Sequence, residues 1–220
     1  MNKLLKYAPS HPVMFNRIFD DGEIMTDFLN STGLFSITEP NSIQFTKQSI
    51  GDEIGIMPPL MDLNLTVDDQ MFINIEMYNK KPDSYDLMCM LGKCLGKLVE
   101  KSQEVFNCLH LNNCVVFAIT NFKMFTDDEC LRSFIMTDDD NNNQISHFKI
   151  ILLELPKISF CKKDSLKKWM NFLNSTDPLT LIEDETITQK DNVLKKAVFE
   201  AARLNASDEL ANLLTNYEKS

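Results

Sequence analysis

Two acids raise the first chemical question. Asp62 and Glu76 stand fourteen positions apart in the stretch "PPLMDLNLTVDDQMFINIEMYNK", residues 58–80, and each interrupts a run otherwise suited to burial. Two carboxylates brought side by side suit a hard divalent cation such as Mg²⁺, which takes oxygen ligands and keeps waters that can become nucleophiles. A phosphodiester resists hydrolysis because its own charge repels hydroxide. A cation beside it offsets that charge and lowers the pKa of bound water. Kept apart, the same two residues are two more acids on an acidic chain, in which 32 Asp and Glu outweigh 22 Lys and Arg to give a net charge of -10.

The elements around them decide between these outcomes. Residues 60–67 alternate, with Leu60, Asp62, Asn64 and Thr66 facing one way and Met61, Leu63, Leu65 and Val67 the other. After "DDQ" the pattern resumes, with Phe72, Asn74, Glu76 and Tyr78 on one face and Met71, Ile73, Ile75 and Met77 on the opposite one. Period-two alternation across a tight connection predicts a β-hairpin. It puts Asp62 and Glu76 on corresponding faces, where cross-strand neighbours meet.

The flanking chain supplies the scaffold. Ser10 and Pro12 predict a cap and first-turn proline for a helix with Phe15, Ile18 and Phe19 inward. Ile24, Met25, Phe28 and Leu29 predict a second helix that ends at Gly33. Residues 34–47 have strand-like composition broken at Pro40, and "GDEIGIMPP" reads as a loop. A 3.6-residue period through Met88, Leu91, Leu95, Leu98, Val99, Val105, Phe106 and Leu109 predicts a long helix over 84–110. "NCVVFAITNF", 113–122, reads as a strand covered on both faces. "DDDNNNQ" reads as a solvated loop, and "HFKIILLELPK" as a strand stopped by Pro156. Helical patterns follow from 163 onward, the last with Ser207 as cap and Leu210, Leu213, Leu214 and Tyr217 on one stripe. The result is a mixed α/β core over about residues 1–160 and a helical C-terminal part over 161–220.

Composition narrows the class. Hydrophobic residues at 44% and charged residues at 25% describe a globular protein. The six Cys (89, 94, 108, 114, 130, 161) form no C-x-x-C pair, and with His11, His110 and His147 they lack zinc-ligand spacing. The N-terminus has no apolar core of signal-peptide length, and no run approaches a membrane span. The expectation is a cytoplasmic or nuclear, non-secreted protein with reduced thiols and no membrane partner. The negative balance disfavours a general nucleic-acid binder, although a local patch or bound cation reverses the local field. "TDDDNNNQ" lacks the Gly and terminal Glu of a calcium loop, and Glu23 reads as a helix-start acid.

The order of elements, with "FNRIFDDGEIMTDFLN", "LMDLNL", "INIEM", "HFKIILLELPK", "KKWMNFLN" and "KAVFEAARLNASDELANLLTNYEK", resembles the PD-(D/E)XK nuclease core. More narrowly, it resembles the transposase-derived PD-(D/E)XK nuclease family, which includes the bacterial recombination-promoting (Rpn) nucleases. The resemblance covers almost the full length. It implies a restriction-endonuclease-like fold, a mixed central sheet flanked by helices, and hydrolysis of DNA with Mg²⁺ or Mn²⁺. It further implies Asp62 and Glu76 as the metal-binding acids, the backbone carbonyl of Met77 as another ligand, and a catalytic role at position 78.

There the chain departs from the family pattern, which has Gln or Lys two residues after the Glu. Tyr78 offers a phenol that donates a hydrogen bond but carries no positive charge at neutral pH. The family also tends to place basic or polar residues before the Asp, where this chain has "IMPPL". Lys80, on Tyr78's side if the strand continues, and Lys93, early in the long helix, are the substitutes for a base or phosphate contact. Two readings follow: a metal-dependent DNA endonuclease, or a catalytically weakened relative keeping the fold as a binding or assembly module.

Overall fold

The computed structural model describes residues 7–46, 63–81, 84–106, 113–138, 143–183, 185–188 and 190–207. In chain order the helices are α1 (Pro12–Phe19), α2 (Gly22–Ser31), α3 (Ser84–Phe106), α4 (Asp164–Asn174), α5 (Thr180–Glu183) and α6 (Asn192–Asn205). The strands are β1 (Ile43–Thr46), β2 (Leu63–Val67), β3 (Met71–Tyr78), β4 (Asn113–Thr120), β5 (Leu131–Thr137) and β6 (Gln144–Glu154). A 3₁₀ turn occupies Pro40–Ser42, and two 3₁₀ turns joined by a kink at Lys157 occupy Leu155–Phe160.

One mixed sheet runs in the order β1-β2-β3-β4-β6-β5. β1, β2 and β3 form an antiparallel meander. β3, β4 and β6 are mutually parallel, and β5 closes the far edge antiparallel to β6. A parallel neighbour requires a crossover, and α3 supplies it between β3 and β4. The expected mixed α/β architecture, a central sheet flanked by helices, is the one observed.

Strand alternation splits the core. The odd-numbered residues of the central strands (Ile73, Ile75, Met77, Val115, Phe117, Ile119, Ile151, Leu153) pack against α1, α2, α4 and α6. Even-numbered residues (Phe72, Tyr78, Cys114, Val116, Ala118, Leu152) pack against the Leu87, Leu91, Cys94 and Leu98 stripe of α3. Because helices cover both faces, β3 and β4 are buried after their half-buried first residues, Met71 and Asn113.

The helical layer is one body of aromatic contacts. Trp169 of α4 lies 5.5 Å from Phe19 of α1 and 5.7 Å from Phe28 of α2, centroid to centroid. Its Nε1–H donates to Asp27 Oδ2 at 2.8 Å. Lys196 of α6 pairs with Asp21 and Glu23 at the start of α2, and Lys168 of α4 pairs with Asp191 just before α6.

Several sequence expectations change in detail. α1 begins at Pro12, but the cap is His11, whose extended backbone (φ -66°, ψ 131°) is the conformation a following proline imposes; Ser10 is one residue too early. α2 does end near Gly33, which takes φ +66°, where a Cβ would run into the Lys163 side chain. β1 starts only after the turn at Pro40–Ser42. β4 stops at Thr120 rather than 122, and Asn121 N–H turns back to donate to the Tyr78 carbonyl at 2.9 Å. β5 is a strand that periodicity did not reveal. The expected strand over 60–62, the long helix's end over 107–110, and Leu210, Leu213, Leu214 and Tyr217 lie outside the described residues. No helix among the described residues is long and apolar enough to cross a membrane.

Candidate functional site

β3 is central to the sheet, flanked by β2 and β4, and carries Glu76 near its carboxyl end. A carboxylate there is unusual chemistry: Glu76 is 0% exposed, in a row whose same-face neighbours are Phe72, Val116 and Ala118. A buried carboxylate is costly unless something holds it. Part of that hold is visible. Asn74 Nδ2 donates to Glu76 Oε1 at 3.3 Å and to Asn64 Oδ1 at 3.1 Å. Asn64 stands directly opposite Asn74 in the β2–β3 ladder, so the polar face predicted from alternation is real at these three residues.

Asp62, the proposed partner of Glu76, lies outside the described residues. It immediately precedes Leu63, the first residue of β2, which pairs with Ile75. Met77 faces the helical layer with its side chain in the core.

Tyr78 closes β3, is 5% exposed, and joins the apolar cluster under α3 with Leu87 and Leu91. That setting belongs to a packed ring more than to a solvent-facing base. Lys80 does not extend the alternation. β3 ends at Tyr78, and Lys80 sits in an exposed bend beyond it. Lys93 is exposed on α3, off the stripe of Leu87, Leu91, Cys94 and Leu98 that meets the sheet. The structure therefore brings Asn64, Asn74, Glu76 and Tyr78 onto one sheet face and leaves Lys80 and Lys93 in solvent.

The end of β3 is a shared rim. Tyr78 is in register with Thr120, and Thr120 with Glu154. Exposed Lys80 and Lys81 follow β3, and exposed Lys123 follows β4 in the next parallel strand. In open parallel sheets, crevices at the carboxyl ends of strands are where ligands bind.

Beside this rim lies a charge cluster that sequence reasoning missed. Glu154 and Lys157 are both buried and meet at 2.6 Å. Glu154 Oε1 accepts from the backbone N–H groups of Met124 and Phe125 at 2.6 and 3.1 Å. Lys157 Nζ also donates to the Glu129 carbonyl at 3.2 Å. Arg132 pairs with Asp127 and lies over the Phe125 ring, 4.7 Å from its centroid. The signal for it was an acid and a lysine three apart in "ELPK", inside an apolar strand end. The pair secures the loop after β4.

A cavity of about 830 Å³ opens on the sheet edge, lined by Leu34, Cys130, Leu131, Phe160, Cys161 and Lys163 among others. Burial first, and then the neighbouring Cys161 thiol, push the Cys130 thiol up to about 12. A thiol held protonated is an inert packing group. Cys89, Cys94, Cys114, Cys130 and Cys161 take part in no disulfide; Cys108 lies outside the described residues.

The described donors around Glu76 are a carboxylate and amide oxygens, the hard oxygen set that Mg²⁺ and Mn²⁺ prefer over thiolate or imidazole. Among the described residues no group of three or more His, Cys, Asp or Glu could hold a metal ion by itself. Set against known proteins, residues 12–220 match the model of a family described as PD-(D/E)XK nuclease family transposase. No curated protein and no solved structure matches the chain.

Proposed function

The chain belongs to the PD-(D/E)XK nuclease family transposases, and on that premise we propose that it is a metal-dependent DNA endonuclease. Asp62 and Glu76 would hold Mg²⁺ or Mn²⁺, with the Met77 carbonyl as a further ligand. When bound, the ion offsets phosphate charge and activates a water for hydrolysis of the phosphodiester bond. The observation that carries this reading is Glu76 itself: an acid buried near the carboxyl end of a central strand, in a chain whose family match spans both candidate acids.

The protein's own residues divide the remaining work. Asn74 and Asn64 hold the Glu76 carboxylate from within the sheet. α3 and the apolar cluster around Tyr78 wall the inner side of the site against water. Lys80, Lys81 and Lys123, at the carboxyl ends of two adjacent parallel strands, meet the phosphate backbone. These three lysines give DNA an approach to a protein whose net charge is -10. Tyr78 is a wall of the site, and the attacking water is oriented without a cationic side chain at that position.

The test is cleavage of supercoiled plasmid by purified protein in Mg²⁺ or Mn²⁺, with Asp62→Asn and Glu76→Gln as controls. Nicking that needs the metal and disappears in both variants supports the endonuclease.

One observation favours a second reading. The position that carries Gln or Lys in the family pattern holds a buried phenol, and Lys80 and Lys93 stand in solvent. A chain so altered acts as a binding module on the nuclease scaffold. It binds DNA in a salt-dependent manner and leaves plasmid intact at any metal concentration.

A further inference from the structure

Asparagine is depleted in strands, and a buried amide is unfavourable unless it is bonded. Yet Asn64 and Asn74 face each other in the middle of the sheet, 6% and 0% exposed. The sheet face around them is apolar: Phe72, Cys114, Val116 and Ala118. Their geometry has a direction. One N–H of the Asn74 amide goes across the strand pair to Asn64 Oδ1 at 3.1 Å, and the amide nitrogen also reaches along its own strand to Glu76 Oε1 at 3.3 Å. The two hydrogens of a planar NH₂ group diverge at a fixed angle, so anchoring one on Asn64 aims the other at Glu76.

We propose that Asn74 is a positioning residue for Glu76, and that Asn64 and Asn74 form an uncharged amide relay that sets the orientation of the Glu76 carboxylate toward a divalent cation. The inference rests on the metal reading of Glu76 given above. Its logic is electrostatic. A lysine or arginine at position 74 would also orient the carboxylate, but its charge would cancel the one a cation needs. An amide supplies the hydrogen bond and adds no charge of its own. The relay also ties that orientation to the β2–β3 ladder, so the strand that follows the segment carrying Asp62 helps to set the geometry of the second acid. Partners that orient a metal ligand in this way contribute strongly to metal affinity.

The experiment uses the full chain and Mn²⁺ alone as the probe, with affinity read from the paramagnetic resonance signal of free Mn²⁺. Four proteins are compared: wild type, Asn74→Leu, Asn74→Thr and Ile73→Val. Asn74→Leu keeps the branched heavy-atom shape and removes both bonds. Asn74→Thr keeps one donor in a strand-forming residue, and Ile73→Val perturbs the opposite face of the same strand. Asn74→Leu is expected to weaken Mn²⁺ binding by about 10- to 100-fold. Asn74→Thr recovers affinity to within about threefold of wild type, and Ile73→Val leaves it unchanged, which separates orientation from mere loss of stability. An Asn74→Leu protein that melts cooperatively and binds Mn²⁺ like wild type overturns the relay while leaving the metal site standing. A wild type that binds no Mn²⁺ overturns both. Should Asn74→Leu fail to fold, Asn64→Val decides, because it breaks only the far end of the relay. A loss of about threefold or more supports the proposal, and no loss overturns it.

Discussion

Lys157 and Glu154 meet at 2.6 Å at the end of β6, with neither residue exposed to solvent. Glu154 is at the same time the acceptor for two backbone N–H groups of the loop after β4. Lys157→Met leaves that buried carboxylate only the more distant Arg132, Nε to Oε2 at 3.9 Å, as a cation, and the expected loss of stability is at most about 3–5 kcal/mol. The double variant Glu154→Gln with Lys157→Met keeps an oxygen for the loop N–H groups and removes the lone charge. It is expected to lose less than the single variant. Urea unfolding midpoints check this, and a double variant less stable than Lys157→Met contradicts it.

The helical layer gives a second expectation, in pH. Burial raises the Asp21 carboxyl, but the bond from Lys196, the backbone N–H groups of Ile24 and Glu23, and the charge of Lys196 outweigh it, and the net shift is down. Asp191 behaves likewise: burial raises it, and Lys168 and Thr188 bring it below its ordinary value. Groups depressed in the folded state contribute stability above their unfolded pKa, near 3.8, which is lost as the pH falls through the folded value. Asp27 is the reverse, raised first by burial and then by the charges of Asp191 and Glu23, against a lowering bond from Trp169. Its contribution grows as the pH falls. Melting temperature followed from pH 7 to about pH 3 should therefore fall less steeply in Asp191→Asn than in wild type. Asp27→Asn, which keeps an acceptor for Trp169, should raise the melting temperature at pH 7.

Trp169 sets the scale of the aromatic body that joins the C-terminal helices to α1 and α2. It is 1% exposed and touches Phe19, Phe28 and Phe172. Trp169→Ala is expected to cost about 3–5 kcal/mol, through lost burial and the cavity left behind. Trp169→Phe loses less volume but removes the donor to Asp27. Its cost should fall between wild type and Trp169→Ala in equilibrium unfolding, and an alanine variant as stable as wild type would remove Trp169 from the core.

The lysine rim makes a salt-dependent prediction. Each phosphate contact contributes about 0.9 to the slope of log affinity against log salt on duplex DNA. Lys80→Gln, Lys81→Gln and Lys123→Gln together should flatten that slope by about 3, with little change in sequence preference. An unchanged slope places the DNA elsewhere on the protein.

The hairpin was legible because alternation has a fixed period: Leu63, Leu65, Ile73 and Ile75 had to share one face, and Asn64, Asn74 and Glu76 the other. β5 was not, because an edge strand is half exposed and mixes Arg132 and Ser133 with Phe134 and Ile135. Only its pairing with β6 marks it as a strand. The reach of Lys80 was misread because alternation carries no signal for where a strand stops. The relay of Asn64 and Asn74 left a trace, two asparagines on one face of two strands, but the direction of their bonds needs coordinates. The contact of Trp169 with Phe19 and Phe28 joins residues more than a hundred positions apart, beyond any local period.

The most direct measurement is the rate of plasmid nicking over a Mg²⁺ titration, wild type beside Glu76→Gln in parallel preparations. The expectation is a rate for wild type that rises with Mg²⁺ and saturates, and no rate above buffer for Glu76→Gln. Equal nicking by both proteins, or none by wild type at saturating Mg²⁺ and Mn²⁺, contradicts it.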